Sequence, residues 1–303
     1  MRLGLAIDGG VLFVLDSGPG PRLSLFDLDG RLLQGGFPLD GVQGPAPGAC
    51  DLAVDQDRRV WLADPLAGVV RGCTLFGRET MQLGAPVEPD ASELERRADR
   101  AGALGSPVAV HLEGSSDDLR VLVGSRGRRR HGLQLFDAEG ALIRSLRPRG
   151  ESHGRFSGVE DVQLDGRFAL ASEPREGRVQ VYRDLDFHAL VSLPARHGER
   201  LEPWAARRLV DGRFVVAFGG TRSGVALLSR DGRFELELAG DGEAEGQVRE
   251  PRALVVEPGR TDALTRLFVS DREGERLQVL TLDGRVLGEL DLGVLDGRGP
   301  AGS

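Results

Sequence analysis

The stretch from Glu250 to Leu290 reads EPRALVVEPGRTDALTRLFVSDREGERLQVLTLDGRVLGEL and predicts four short strands in order. Apolar runs bounded by Gly, Asp and Pro are typical of strands joined by hairpins. The four runs are Leu254–Val256, Leu267–Val269, Arg276–Leu280 and Val286–Leu290. One four-stranded meander cannot bury both of its faces alone, so the pattern requires further copies of itself.

Five earlier copies of the same pattern precede this stretch. The third strands align on one position, occupied by Phe26, Phe76, Phe136, Tyr182, Leu228 and Leu280. The steps range from 46 residues (136 to 182) to 60 residues (76 to 136). Four strands per repeat and a period of about 50 residues predict a β-propeller. A two-sheet sandwich is the alternative, but sandwiches do not repeat this unit six times.

We therefore expect an all-β protein, a single six-bladed β-propeller of four-stranded antiparallel blades over residues 1–292. The blades are predicted at about 2–36, 48–84, 105–147, 158–194, 203–239 and 250–292. Between blades two and three, the capping box Ser92–Glu95 predicts one short helical insertion that ends before Gly102. The Gly-rich residues 293–303 are predicted to form a flexible tail.

Composition limits the functions that this chain can have. The net charge of −8 disfavours non-specific binding to nucleic acid. The sequence contains no lysine, so lysine nucleophiles and P-loop phosphate binding are excluded. No apolar run is long enough to span a membrane, and the N-terminus does not resemble a signal peptide. With only Cys50 and Cys73, we expect a cytoplasmic protein without disulfides.

Four of the blades share a consensus of residue types. Blade six carries it as Pro251, Ala253, Leu254, Val256 and Glu257, then Ser270-Asp271, Arg276-Leu277-Gln278-Val279 and Asp283-Gly284. The matching segments of blades one, two and four are Gly4–Asp8, Leu15-Asp16, Arg22–Phe26, Leu52–Asp55, Ala63-Asp64, Val162–Asp165 and Arg178–Tyr182.

This consensus resembles the repeat of the NHL family of six-bladed propellers, and the resemblance covers roughly residues 2–292. The resemblance implies an NHL-like fold, but it says little about function, because propellers host unrelated activities. Blades three and five depart from the repeat. Blade three has His111 in its first strand, and blade five has Arg207 and Arg208 at the equivalent place.

In such a propeller, one face carries both the connections between blades and the turns between second and third strands. We call it the connection face, and its long charged loops make it the expected site. The candidate binding residues are Arg126, Arg128, Arg129, Arg130, His131, Arg149, His153, Arg155, Trp204 and Arg207. Arginine forks suit phosphate and carboxylate groups. The alternative interpretation is a solvated loop that nearby acids balance.

We therefore expect a monomeric, non-enzymatic binding platform for a partner protein or an anionic small molecule, with no cofactor. RNA is not expected, because only Phe156 and Trp204 could stack on bases. Some NHL-like relatives are metal-dependent lyases or lactonases, which implies an alternative: a metal-dependent hydrolase or lyase with a divalent cation such as calcium. Its candidate ligands at the channel mouth are Asp51, Glu160, Asp161 and Glu250.

Overall fold

The computed structural model describes residues 3–17, 20–39, 50–84, 102–126, 132–146, 150, 152–271 and 276–292. The predicted helical insertion and the predicted tail lie outside these residues. Short 3₁₀ turns occur at Pro174–Glu176 and Asp262–Leu264. Within the described residues, no helix is long and apolar enough to cross a membrane.

The other regular secondary structure of the described residues consists of β-strands. In chain order they are β1 Leu3–Asp8, β2 Val11–Asp16, β3 Arg22–Asp27, β4 Leu32–Pro38, β5 Asp51–Val54, β6 Val60–Asp64, β7 Val69–Cys73, β8 Glu79–Leu83, β9 Ser106–Glu113, β10 Arg120–Arg126, β11 Gly132–Phe136, β12 Leu142–Leu146, β13 Asp161–Asp165, β14 Phe168–Glu173, β15 Arg178–Arg183, β16 Asp186–Ser192, β17 Leu201–Arg208, β18 Phe214–Gly220, β19 Gly224–Leu228, β20 Phe234–Asp241, β21 Gln247–Val248, β22 Leu254–Glu257, β23 Arg266–Asp271, β24 Arg276–Thr281 and β25 Val286–Asp291.

These strands build six sheets, and the prediction of an all-β, six-bladed propeller is confirmed. Each blade is an antiparallel meander of four strands in chain order. Blade five differs in one respect, because the short strand β21 adds a parallel pairing to the outer edge of β20. Blade five also begins at Leu201, two residues before its predicted start.

Burial explains why each segment takes its place in a blade. The second and third strands lie between other strands and between neighbouring blades, so all five residues of β6, β11 and β19 are buried. The fourth strands lie at the rim, and the first four residues of β20 are exposed. Continuous apolar runs mark the middle of a blade, and mixed runs mark its outer edge.

The ring closes by direct packing of blade six against blade one. Phe268 and Leu277 of blade six share one buried cluster with Leu5 and Leu12 of blade one. The Arg266 guanidinium also donates a hydrogen bond to the Leu28 carbonyl, with Nη1 to O at 3.0 Å. We call the face opposite the connection face the hairpin face. It carries the turns between first and second strands and between third and fourth strands.

A buried carboxylate ties blade four to the connection that precedes it. Glu173, at the end of β14, accepts hydrogen bonds from the Ser157 and Gly158 amides at 2.6 and 3.2 Å. It also accepts from Arg178 Nε at 2.9 Å and from Gln180 Nε2 at 2.7 Å. The side chain is 0% exposed. Its four donors replace the water that a buried carboxylate loses.

Blade six repeats this arrangement. Asp271 ends β23, is fully buried, and accepts from the Arg249 amide and from Arg276 Nε. In both blades the acid lies directly opposite its arginine, as Glu173 to Arg178 and Asp271 to Arg276. In these two blades, the acid that ends the second strand and the arginine that begins the third strand therefore form one buried ion pair.

We predict that Glu173→Ala lowers the free energy of unfolding by about 3–5 kcal/mol, because it leaves Arg178 buried without its counter-charge. Chemical denaturation monitored by tryptophan fluorescence measures the change. Glu139→Ala, in an exposed turn of blade three, is the matched control and should change stability little. Equal midpoints for the two variants would show that this ion pair does not hold the blade.

Candidate functional site

A cavity of roughly 400 Å³ lies on the propeller axis. The first strands of all six blades line it: β1, β5, β9, β13, β17 and β22. The lining starts at Asp51, where β5 begins, and reaches the exposed residues Val210 and Pro258 on the hairpin face. The cavity therefore lies deeper than the connection face and extends toward the opposite side.

The two halves of the cavity wall differ in chemistry. Blades one, two and six contribute mainly apolar side chains: Leu5, Ala6, Ile7, Leu52, Ala53, Val54, Val255 and Val256. Blades three to five add polar and charged ones: His111, Gln163, Asp165, Arg207 and Arg208. A ligand in this cavity would meet an apolar surface on one side and hydrogen-bonding groups on the other.

The polar half is held together by bonds between neighbouring first strands. Asp51 accepts from the Val110 amide at 2.9 Å, and Gln163 accepts from the Arg208 amide at 2.6 Å. A first strand is the inner edge of its sheet, so part of its backbone has no strand partner. Side chains of the preceding blade supply the missing acceptors.

His111 makes the same kind of bond, and its surroundings hold it neutral. Its Nδ1 accepts from the Leu164 amide at 3.2 Å. Burial, and second the charge of Arg207, lowers the pKa of His111 to about 3. Because Nδ1 is an acceptor, the neutral ring carries its proton on Nε2. His111 is thus a fixed hydrogen-bond donor at the cavity wall.

The two arginines of blade five are anchored by carboxylates of blade four. Asp161 holds Arg207 with two contacts, 2.6 Å from Oδ2 to Nη1 and 3.2 Å from Oδ1 to Nη2. Asp165 Oδ2 holds Arg208 Nη1 at 2.6 Å. The Arg208 guanidinium also lies 4.2 Å from the centre of the Phe168 ring. Both guanidinium groups are therefore fixed in position before any ligand arrives.

The blade-three candidates that the structure describes each have contacts of their own. Arg126 forms an ion pair with Glu160. The His153 ring stacks on Phe187 of the rim strand β16, with 5.5 Å between ring centres. The Arg155 carbonyl accepts from Gln180 at 2.7 Å. Arg128, Arg129, Arg130, His131 and Arg149 lie outside the described residues.

The aromatic candidates of the connection face are both engaged. The Arg252 guanidinium lies 3.4 Å from the centre of the Trp204 ring, and Arg252 also pairs with Glu250 at 3.2 Å. Phe156 is 0% exposed and stacks on Tyr182, 5.7 Å away. Phe156 is therefore unable to stack on a nucleic acid base, contrary to its candidacy from the sequence.

The candidate metal ligands are dispersed. Asp51, Glu160, Asp161 and Glu250 each contact an amide or an arginine, as described above. In the part of the chain that the structure describes, no three His, Cys, Asp or Glu side chains are grouped to hold a metal ion. The metal-dependent alternative stays a prediction from the sequence.

Among the polar residues of the cavity wall, the sequence indicated Arg207 as a binding residue and Asp51 as a candidate metal ligand, and it missed four others. His111 and Arg208 were visible only as departures from the repeat. Gln163 and Asp165 looked like ordinary repeat positions, since a polar residue ends many first strands. Their role depends on contacts with the neighbouring blade, and alignment of the repeats does not show these contacts.

We predict that the stability of the protein falls between about pH 6.5 and pH 4 partly because of His111. Below pH 6.5 the unfolded chain binds a proton that the folded chain does not, since the folded pKa is about 3. His111→Gln retains an acceptor for the Leu164 amide and removes this proton uptake. Between pH 7.5 and 5.0 the variant should lose on the order of 1 kcal/mol less stability than the parent protein.

Denaturation midpoints at the two pH values provide the measurement, with His197→Gln as the control because His197 is exposed. If both variants lose the same stability on acidification, His111 is not held neutral.

Comparison with known proteins supports the fold. No family model matches the sequence, and a search of curated proteins finds no significant match. A protein of unknown function from Bacteroides caccae matches at TM-score 0.64 and 12% identity, over 94% of both chains. A chain of a nidogen/laminin complex matches at TM-score 0.62 and 14% identity, over 94% of this chain and 95% of that one. A catalytically inactive virginiamycin B lyase from Staphylococcus aureus with quinupristin matches at TM-score 0.52 and 13% identity, over 97% of this chain and 86% of that one. At such identities the likeness shows the fold, a six-bladed β-propeller.

Proposed function

We propose that this chain is a non-enzymatic, NHL-type binding propeller whose ligand is a small organic anion held in the axial cavity. One observation carries the proposal: a cavity of about 400 Å³ joins an apolar wall to a wall of fixed donors. Pockets for small molecules are concave, mostly apolar and equipped with a few placed polar groups. The axial cavity meets all three conditions.

The polar wall offers N–H donors to an anion, although Arg207 and Arg208 each already pair with a carboxylate of blade four. Its donors are the Nε2 of neutral His111 and the guanidinium groups of Arg207 and Arg208. Two lining carboxylates, Asp51 and Asp165, are already used by the Val110 amide and by Arg208. An acidic group that enters the cavity would find donors on pre-organised side chains, which lowers the entropy cost of binding.

The axial site also fits the expected anionic ligand and keeps Arg207 among its binding residues. It differs from the location expected from the sequence, which was the connection face with the blade-three arginines. Binding at that loop is the competing outcome, and charge reversal at Arg128, Arg129 and Arg130 distinguishes the two locations.

We predict that the native protein binds the fluorescent organic anion 8-anilinonaphthalene-1-sulfonate at one saturable site. Ile7→Trp fills the cavity from blade one and should weaken binding by at least about tenfold. Ile143→Trp is the matched control, because Ile143 lies on the rim strand β12 and is 53% exposed. Fluorescence titration and calorimetry measure affinity and stoichiometry.

The same titration is repeated with the triple variant R128E/R129E/R130E. Unchanged affinity supports the axial site. Loss of binding in the triple variant together with full binding in Ile7→Trp would move the site to the connection face and overturn the proposal.

A further inference from the structure

A second cavity, of about 590 Å³, lies between blades four and five on the hairpin face. Blade four lines it with Phe168, Val181 and the strand segment 188–191. Blade five lines it with Phe214, Arg230 and Asp231, together with the segment 210–212. We call this cavity the radial cleft.

The radial cleft and the axial cavity share two residues, Arg208 and Val210. The cleft wall on blade four crosses β14, β15 and β16, and β13 of the same sheet lines the axial cavity. From β13 to β16 are three strand spacings, or roughly 14 Å. The two cavities are therefore neighbours that meet at Arg208 and Val210, one on the axis and one toward the rim.

Two arginines meet where the spaces join. A methyl group added to Gly212 would lie 3.3 Å from Arg208 Nη2 and 3.3 Å from Arg230 Cγ, so both side chains flank this glycine. Gly212 has φ = +91°, a conformation that favours glycine and lets the turn pass between the two arginines. Two arginine side chains on either side of one glycine can both donate hydrogen bonds to a single anionic group.

The nearby acids leave Arg230 available. Asp165 already pairs with Arg208, and Asp211 pairs with Arg213 at 2.7 Å. Arg213 in turn also holds Asp262 at 2.6 Å. Within the described residues, no side chain lies within ion-pair or hydrogen-bond distance of Arg230, although its charge acts on Asp211, and Asp231 lines the cleft beside it.

Apolar side chains line most of both cavities beside the arginines, and Asp211 and Asp231 also line the radial cleft. In the radial cleft, the Phe168 ring lies under Arg208 and 6.0 Å from the His188 ring, and Phe214 faces it from blade five. In the axial cavity, the wall of blades one, two and six is almost wholly aliphatic. A ligand that occupies the axial cavity and reaches the place where the two cavities meet needs an apolar body and one anionic group.

We infer that the ligand is an elongated amphiphilic anion, of the class of straight-chain carboxylates. Its acidic head lies between Arg208 and Arg230, and its apolar chain lies in the axial cavity. The inference rests on the proposed function and specifies its ligand. Charge-assisted bonds to guanidinium hold the head, and burial of methylene groups supplies the remaining affinity.

The test is a calorimetric titration with hexanoate, octanoate and dodecanoate below their micelle concentrations. Affinity should rise by roughly fourfold for each added methylene that reaches the apolar wall. Arg230→Gln should weaken all three by about tenfold, since it removes one charged partner of the head. Arg233→Gln, in the same exposed turn, is the control and should bind as the parent does.

Variants with a filled cavity locate the chain. Ile7→Trp should weaken the binding of dodecanoate more than the binding of hexanoate. If Ile7→Trp has a lower melting temperature than the parent protein, Val54→Phe is used in its place. If chain length and Arg230→Gln have no effect while 8-anilinonaphthalene-1-sulfonate still binds in the axial cavity, the inference is overturned and the proposed function survives. If neither probe binds, both are overturned. Carboxylate binding that Arg230→Gln weakens but both filled variants leave unchanged would place the chain elsewhere and overturn the inference.

Discussion

The structure depends on one constraint at its centre, where six edge strands meet around an axis. Each first strand has backbone groups that no neighbouring strand can pair, and the axial cavity offers them no protein backbone. In blades two, three and four, side-chain acceptors bond to backbone amides of the next blade. The four acceptor–amide pairs are Asp51 with Val110, His111 with Leu164, Asp161 with Ala206, and Gln163 with Arg208. These bonds join the blades side by side and also decide which wall of the cavity is polar. Binding chemistry and ring assembly therefore use the same residues.

A second constraint explains why the repeat could be recognised. The acid at the end of a second strand and the arginine at the start of the third are direct cross-strand partners, so neither can change alone without leaving a buried charge. That coupling preserves a readable spacing in blade six. In blade four, β14 ends at Glu173, where blade six has Asp271. Because blade four has a glutamate where blade six has an aspartate, the sequence pattern did not show that the two positions correspond. Glu173 nevertheless precedes Arg178 by the same five positions that separate Asp271 from Arg276.

Local patterns were sufficient for the six blades and their strand order, because strands, turns and buried faces are set by neighbours in sequence. They were insufficient for the site. The arginines near residue 128 drew attention through their density, whereas the axial cavity exists only after six distant segments converge. His111 illustrates the limit: its ring nitrogen finds a partner 53 positions away, in the next blade. Arg208 likewise acquires its place from Asp165 and Phe168 of another repeat. Contacts between repeats carry no signature in a single sequence.

The strand β21 has a consequence for how the molecule behaves among its own copies. The rim strands of a propeller expose backbone groups that could pair with a rim strand of another molecule. Gln247 and Val248 occupy that edge of blade five by pairing in parallel with Gly240 and Asp241. The chain thus covers one end of its longest described rim strand with its own backbone, and leaves the edge beside the exposed Phe234 and Leu236 uncovered. At the covered end, the backbone groups of β20 are no longer available to a strand of another molecule.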